Sequence, residues 1–367
     1  MKLRRLTGLL LSLVLLFCTG CSQSAAPRSA PFPTAEEQAL SSPPEDSAKA
    51  PSDQQAEETV SAEKNAPAPA QEVSFTLCAY LPVSSMTQGA AAVAEEYAGS
   101  IAALDYLVLN TGAYWDENGA LSLSDELLDA IETLQGKTAL WCTVNPQGAL
   151  IREGTAGQSI DTPQERQVLA QEIAAFAEQY GLAGIDIDWE FPLDDEWEDF
   201  STFLITLKDT LSRNSKPVAL SLALYPEKIA LSEEAIAALD RIHVMAYDQF
   251  DSEGFHSTMQ AAEDAVAYFT ALGASPQQLV LGIPAYGRPL DGSAQWVFYK
   301  DIDPESISGE NPDLVGDISF NSAATAAQKT QYALEQNLGG VMVYQLLCDR
   351  NDQDALILAC ANMAENA

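Results

Sequence analysis

Basic residues are scarce in this chain. It carries 18 Lys and Arg against 53 Asp and Glu over 367 residues, a formal net charge of −35. Such a surface is repelled by a phosphate backbone, which excludes a nucleic-acid partner. Six cysteines are too few to staple a disulfide scaffold, and a 47% hydrophobic composition offers an ordinary core instead. The only two histidines, His243 and His256, show no metal-ligand pattern, so no metal and no other cofactor is expected. The longest apolar run near the start, Leu9 to Phe17, is too short to span a bilayer once its flanks are counted.

That run has a different reading. It follows Lys2, Arg4 and Arg5 and precedes Cys18-Thr19-Gly20-Cys21, an arrangement that resembles a bacterial lipoprotein signal, with Cys18 where Leu is usual. Residues 1–21 are therefore expected to be a signal peptide with its lipobox, and Cys21 the lipidated residue. An ordinary secretory signal is the alternative. Both place the protein outside the cytoplasm, with the lipid anchor its only membrane contact. Residues 22–72 hold eight of the 19 prolines among Ala, Ser, Gln and Glu. Few apolar side chains offset ordering there, so a disordered tether is expected. Residues 73–367 hold 12 basic and 44 acidic residues, so the acidity belongs to the folded domain.

From Val73 short apolar runs alternate with amphipathic segments. Strands are expected at Phe75–Leu81, Tyr106–Asn110, Thr138–Val144, Gly184–Glu190, Val218–Leu224, Ile242–Tyr247, Leu279–Pro284 and Gly340–Tyr344. Eight strands in a domain of this size suit an α/β fold of the (β/α)8 TIM-barrel type. An open doubly wound sheet is the alternative, disfavoured because no Gly-rich phosphate loop follows the first strand. The clearest helix runs from Thr162 to Tyr180, with Thr162 as cap, Pro163 at the first position, Glu165 completing a capping box and Gly181 as stop. A second is expected over Glu196–Ser212, and Ser232 before Glu233 and Glu234 marks another start.

The fourth predicted strand carries the chemistry. It reads Gly184-Ile185-Asp186-Ile187-Asp188-Trp189-Glu190. Side chains alternate along a strand, so the three acids share one face and Ile185, Ile187 and Trp189 the other. Burying three adjacent acids is costly unless protons are shared and hydrogen bonds supplied, and such crowding pushes their pKa values apart. In a barrel that row leads up to the C-terminal mouth, where barrel enzymes react.

Four blocks in order then resemble glycoside hydrolase family 18, the chitinase family. They are Ala183–Pro192, Met245-Ala-Tyr-Asp248, Leu281–Arg288 and Gly339–Tyr344, within a resemblance covering about residues 73–365. It implies substrate-assisted retention, in which the 2-acetamido oxygen of the bound sugar attacks C1. Glu190 would be the general acid and then the base. Asp188 would hold the acetamido N–H, Asp186 would share a proton with it, and Tyr247 would donate to the acetamido oxygen. Asp248, Tyr286, Arg288, Met245 and Tyr344 would contact sugar, and Tyr80 would support the buried Asp186. The implied substrate is chitin or chito-oligosaccharide, an N-acetylated glycan. Peptidoglycan or spore-cortex glycan and N-glycan cores are alternatives, and a barrel that binds glycan without cutting it is the alternative of another class. A monomer is expected.

The chain departs from the family at Ala183, where Asp is frequent, and at Tyr344, where Trp is usual. In the third strand, Thr143 or Cys142 could bond Asp186. Only 32 residues separate Arg288 from Asn321, too few for the inserted α+β domain of many chitinases, so a shallow cleft is expected. Trp115, Trp197 and Trp296 fall in predicted loops and could stack on sugar or pack. Cys78 and Cys142 look like small buried hydrophobes, and no spacing argues that Cys348 and Cys360 pair. Replacing Cys21 by Ser is expected to move the protein from the membrane to the soluble fraction on cell fractionation; unchanged retention would refute the anchor.

Overall fold

The computed structural model describes residues 75–303, 306 and 311–367. The signal and tether expected over 1–72, with Cys21, lie outside the described residues. Eight parallel strands close into a barrel: β1 (Thr76–Pro82), β2 (Tyr106–Trp115), β3 (Ala139–Pro146), β4 (Gly184–Ile187), β5 (Ala219–Leu224), β6 (Arg241–Val244), β7 (Leu279–Pro284) and β8 (Gly340–Tyr344). Closure comes from β1, which pairs with β8 through Thr76↔Gly340 to Ala79↔Val343 and with β2 through Cys78↔Tyr106 to Pro82↔Asn110.

Strand alternation divides the apolar residues into two cores. Outward side chains such as Ile185, Ile187, Leu220, Leu222, Leu281, Ile283, Val341 and Val343 pack beneath the helices. Inward ones, among them Cys78, Tyr80, Tyr106, Val108, Trp141, Met245 and Met342, form a separate cluster inside the barrel. Five of the helices start at a hydroxyl. Ser124, Thr162, Ser232, Thr258 and Ser322 each accept the amide three residues on, at 3.1–3.3 Å. The helix Pro163–Tyr180 has the expected capping box, and Gly181 ends it at φ 65°. Leu169, Ile173 and Phe176 are buried on one face and Tyr180 half-buried.

β4 and β6 are shorter than expected, ending at Ile187 and Val244. Beyond Ile187 neither neighbour continues the ladder: pairing ends at Val144↔Ile187 on one side and Ile187↔Leu222 on the other. The Asn145 side chain instead accepts the Asp188 amide at 2.9 Å. β2 runs beyond Asn110 to Trp115, with a register shift between Leu109 and Ala113, and turns back through Leu121–Leu123. A Cβ on Gly112 would sit 2.6 Å from the Leu127 side chain, so only glycine passes there. Trp115 therefore ends a strand and Trp197 begins a helix; both are buried, and neither lies in a loop. The excursion after β7 forms a small antiparallel sheet of Tyr286–Pro289, Val297–Phe298, Leu314–Val315 and Ile318–Ser319. Cys78, Cys142, Cys348 and Cys360 are all buried and free.

Gly184 opens β4 against Trp141, whose ring would lie 2.1 Å from an added Cβ. Gly184→Ala must therefore displace the indole that stacks on Tyr106 at 4.3 Å. Urea unfolding is expected to show a loss of about 1–3 kcal/mol.

Candidate active site

The acids of the fourth strand climb from the barrel interior to its mouth. Asp186, on β4, is fully buried. Its Oδ2 accepts hydrogen bonds from the Tyr80 hydroxyl at 2.9 Å and the Thr143 hydroxyl at 3.0 Å, and its Oδ1 accepts from Ser221 at 2.5 Å. Thr143, not Cys142, is thus the third-strand donor. His243 Nδ1 lies 3.2 Å from Asp186 Oδ1 and 2.6 Å from the Tyr80 oxygen, and Tyr106 Oη lies 2.9 Å from His243 Nε2. One tautomer satisfies every contact: Nδ1–H donates toward Asp186 and Tyr80, and Nε2 accepts from Tyr106. The donors come from β1, β3, β5 and β6, so the aspartate is held from four strands.

Asp188 follows, just past the ladder. Its carboxyl is pushed well above the ordinary range by burial, then by the charges of Glu190 and Asp186. Its Oδ1 is buried and has no hydrogen-bond partner in the protein. Glu190 stands at the mouth, its carboxyl raised by desolvation and by the charge of Asp248. Behind this row, Ile187 and Trp189 are packed among the helices, with Trp189 5.3 Å from Phe200 edge-to-face. Ala183 is exposed at the foot of β4 and shares the parity of Ile185 and Ile187, so the departure there does not touch the acid row.

Asp188 and Glu190 border a pocket of about 190 Å³, whose remaining wall is Tyr80, Ala223, Tyr225, Met245, Tyr247, Asp248, Tyr286, Trp296 and Tyr344. Nine residues singled out from sequence, Trp296 among them, therefore meet in it; Asp186 lies below, and Arg288 stands behind Asp248. Burial, then neighbouring Tyr344, Tyr286 and the acids, keeps the Tyr247 hydroxyl protonated and a donor. Tyr247 stacks on Tyr344, with centroids 5.4 Å apart and planes at 25°. Tyr286 donates to Asp248 Oδ2 at 2.9 Å, and Arg288 Nη1 to Asp248 Oδ1. Burial alone would raise the Asp248 carboxyl; His256, Tyr286 and the Arg288 charge outweigh it and hold it below the usual carboxylate range. Asp248 itself sits at φ 61°, a left-handed backbone rarely taken by residues other than glycine.

Of the three tryptophans only Trp296 reaches the pocket. It stacks on Tyr286 with ring centroids 3.8 Å apart and planes nearly parallel, and stands edge-on to Tyr344 at 6.3 Å. Trp115 instead donates its Nε1–H to Ser159 at 2.9 Å. Sequence reasoning missed Tyr225, His243, Ser221 and Asn145. For Ser221 and Tyr225 a signal existed: with Ala223 they share the inward parity of β5.

A family model described as Glycosyl hydrolases family 18 matches residues 57–349, a span whose first part lies outside the described residues. "Probable chitinase 2" of Drosophila melanogaster is 27% identical over 161 residues, 39% of this chain and 33% of that protein. The chain thus spans about a third of that relative's length. Among solved structures, the GH18 chitinase ChiB from the chitin utilization locus of Flavobacterium johnsoniae superposes with a TM-score of 0.66 at 22% identity, over 80% of this chain and 94% of its own. A GH18 chitinase from Cycas revoluta in complex with (GlcNAc)3 gives 0.62 at 20% identity, over 78% and 99%. At these identities the two structures establish the shared barrel.

Asp248→Asn removes the charge that helps raise Glu190. The Glu190 carboxyl is then expected to titrate at lower pH, while burial still keeps it above its ordinary value. Carboxyl-carbon NMR across a pH series reads the shift, and an unmoved Glu190 would show that Asp248 does not set it.

Proposed function

The chain belongs to glycosyl hydrolases family 18, and from that premise we propose that it cleaves β-1,4-linked N-acetylglucosamine chains, chitin or chito-oligosaccharides, with retention. The observation that carries this reading is the buried Asp188 Oδ1 without a partner in the protein. A buried acceptor left open costs about 1–3 kcal/mol unless a ligand supplies the donor. The N–H of a 2-acetamido group is such a donor. Holding it turns the acetamido carbonyl oxygen toward C1, and that oxygen displaces the leaving sugar to give an oxazolinium ion.

Glu190 gives its proton to the departing glycosidic oxygen, for which its raised pKa suits it. It then takes a proton from the water that opens the oxazolinium. Asp188 faces the positive ring through this interval, and Tyr247 donates to the acetamido oxygen to hold it in line. Tyr80, Tyr344, Tyr286 and Trp296 give the sugar apolar walls, and Met245 and Asp248 flank it. Outside the pocket, the exposed large apolar side chains Phe191, Leu193, Phe250 and Phe298 all follow β4, β6 or β7. They suit a glycan lying across the mouth. The small sheet after β7, in place of a larger inserted domain, leaves that mouth open, which favours attack on soluble or loosely packed chains. Among the described residues no helix is long and apolar enough to cross a membrane. The N-terminal motif supports action outside the cytoplasm, with a lipid anchor at Cys21.

Mass spectrometry of products from chito-oligosaccharides, peptidoglycan and a high-mannose glycopeptide tests the substrate. Chito-oligosaccharides should be cleaved, and cellulose, which has no acetamido nucleophile, should not. Glu190→Gln is expected to lower kcat about 10²- to 10⁴-fold while glycan affinity stays near that of the wild type. Near-normal turnover in that variant would refute the acid assignment.

A further inference from the structure

Outside the acid row lies a buried lysine for which the proposed reaction has no use. Lys329, on the helix Ala323–Glu335, is fully buried. Its three N–H groups meet three acceptors, none of them charged: the Ser257 carbonyl at 2.7 Å, the Ser257 hydroxyl at 3.0 Å and Asn321 Oδ1 at 2.7 Å. An ammonium without a buried carboxylate against it is costly, and the cost requires an explanation.

The partners of Ser257 supply one. Its hydroxyl donates to the Ala246 carbonyl at 2.6 Å, and its amide to the Gln249 carbonyl at 2.9 Å. Ala246 and Gln249 are the residues immediately on either side of Tyr247 and Asp248. The next residue back, His256, accepts the Asp248 amide on Nε2 at 2.9 Å. Ser257 itself adopts φ 50°, a conformation that costs a serine energy unless its surroundings fix it. Asn321 Nδ2 adds a bond to the Ser257 carbonyl at 3.1 Å. The segment that carries two pocket residues is thus pinned at both ends by one serine, and that serine is held by Lys329.

We propose that Lys329 is a positioning residue, which fixes Tyr247 and Asp248 in the pocket by clamping Ser257 with its full set of three donors. This inference rests on the proposed function for its catalytic consequence. A neutral amine has only two N–H groups and would turn a lone pair toward one of the three acceptors, so the clamp requires the charged form. Burial lowers the Lys329 pKa to about 7, against the charges of Asp313 and Cys360. Those groups and His256 are the titratable neighbours on the elements around it. Asp313 is already engaged by the Ser322 amide at 2.8 Å and the Thr325 hydroxyl at 2.6 Å. Base therefore loosens the clamp, with its midpoint near the pH at which Lys329 loses its proton.

Two variants and two readouts test this. Lys329→Met keeps the unbranched apolar stem of the side chain and removes the donors. Asn321→Asp places a carboxylate against the ammonium and holds it charged to higher pH. In hydrogen exchange read by mass spectrometry, Lys329→Met should speed exchange over 245–258 while the β1, β4 and β8 peptides stay as in the wild type. In Asn321→Asp the same segment should stay protected above pH 7, where the wild type loosens. Turnover of a chito-oligosaccharide by Lys329→Met should fall about 10- to 100-fold in kcat, with a smaller change in KM. The ratio of Asn321→Asp to wild-type kcat should rise as pH passes 7; the titration of Glu190 is common to both and cancels. Exchange over 245–258 unchanged in Lys329→Met, or increased throughout the barrel, overturns the inference, as does an Asn321→Asp profile that tracks the wild type. Absence of wild-type turnover would instead overturn the proposed function, and the exchange readout would still decide the role of Lys329.

Discussion

The constraint on which the site depends is the placement of one carboxylate, Asp186, in the middle of a closed barrel. A carboxylate removed from water costs several kcal/mol unless hydrogen bonds replace its hydration. Tyr80, Thr143, Ser221 and His243 supply them, each from a different strand and each buried. The requirement reaches beyond the aspartate. To meet it, β1, β3, β5 and β6 must stand in one register, since a slip of one residue would turn each donor to the helix side. Tyr106 and Trp141 complete the arrangement around the imidazole. The polar centre thus specifies the register that the apolar inner cluster, being non-directional, leaves loose.

Above that centre the environment changes step by step. Asp186 is saturated with donors. Asp188 is confined and leaves one oxygen unpaired, and Glu190 stands at the rim near Asp248. Solvation and charge, not residue type, separate the three. In the proposed reaction the saturated acid serves as a fixture, the confined acid with an open oxygen as a recognition element, and the rim acid raised in pKa as the group that exchanges a proton. Strand alternation aims the first of them, but the other two leave the ladder. Asn145 performs for Asp188 the backbone pairing that a neighbouring strand performs for Asp186.

This step explains which parts of the site were legible in the sequence. The acid row was legible because alternation is a local property, and the helix Pro163–Tyr180 because its cap, first proline and final glycine are all local. The barrel followed from the number of such units. The ends of β4 and β6 were not legible, because a strand stops when its neighbours stop pairing, and that information lies tens of residues away. His243 looked like an isolated histidine because its partners, Tyr80, Tyr106 and Asp186, lie up to 163 positions away. Trp115 and Trp296 were indistinguishable in sequence; the indole of one finds Ser159 in the core and that of the other finds Tyr286 at the mouth.

The same reasoning unites the two buried charges that the sequence did not reveal as related. Asp186 and Lys329 lie on opposite supports of one pocket, the first beneath the acid row and the second behind the Tyr247–Asp248 segment. Hydroxyls and an imidazole hold one, and a carbonyl, a hydroxyl and an amide hold the other. An ion pair would hold the Lys329 charge over a wide pH range; neutral dipoles stabilise it by less and leave it responsive to its surroundings. They also demand directional geometry, because a dipole a few tenths of an ångström out of place ceases to compensate. A site supported in this way exchanges electrostatic robustness for positional definition. That exchange suits a reaction whose nucleophile belongs to the substrate, since the protein's task there is to hold an acetamido group, an acid and a tyrosine hydroxyl in one fixed relation.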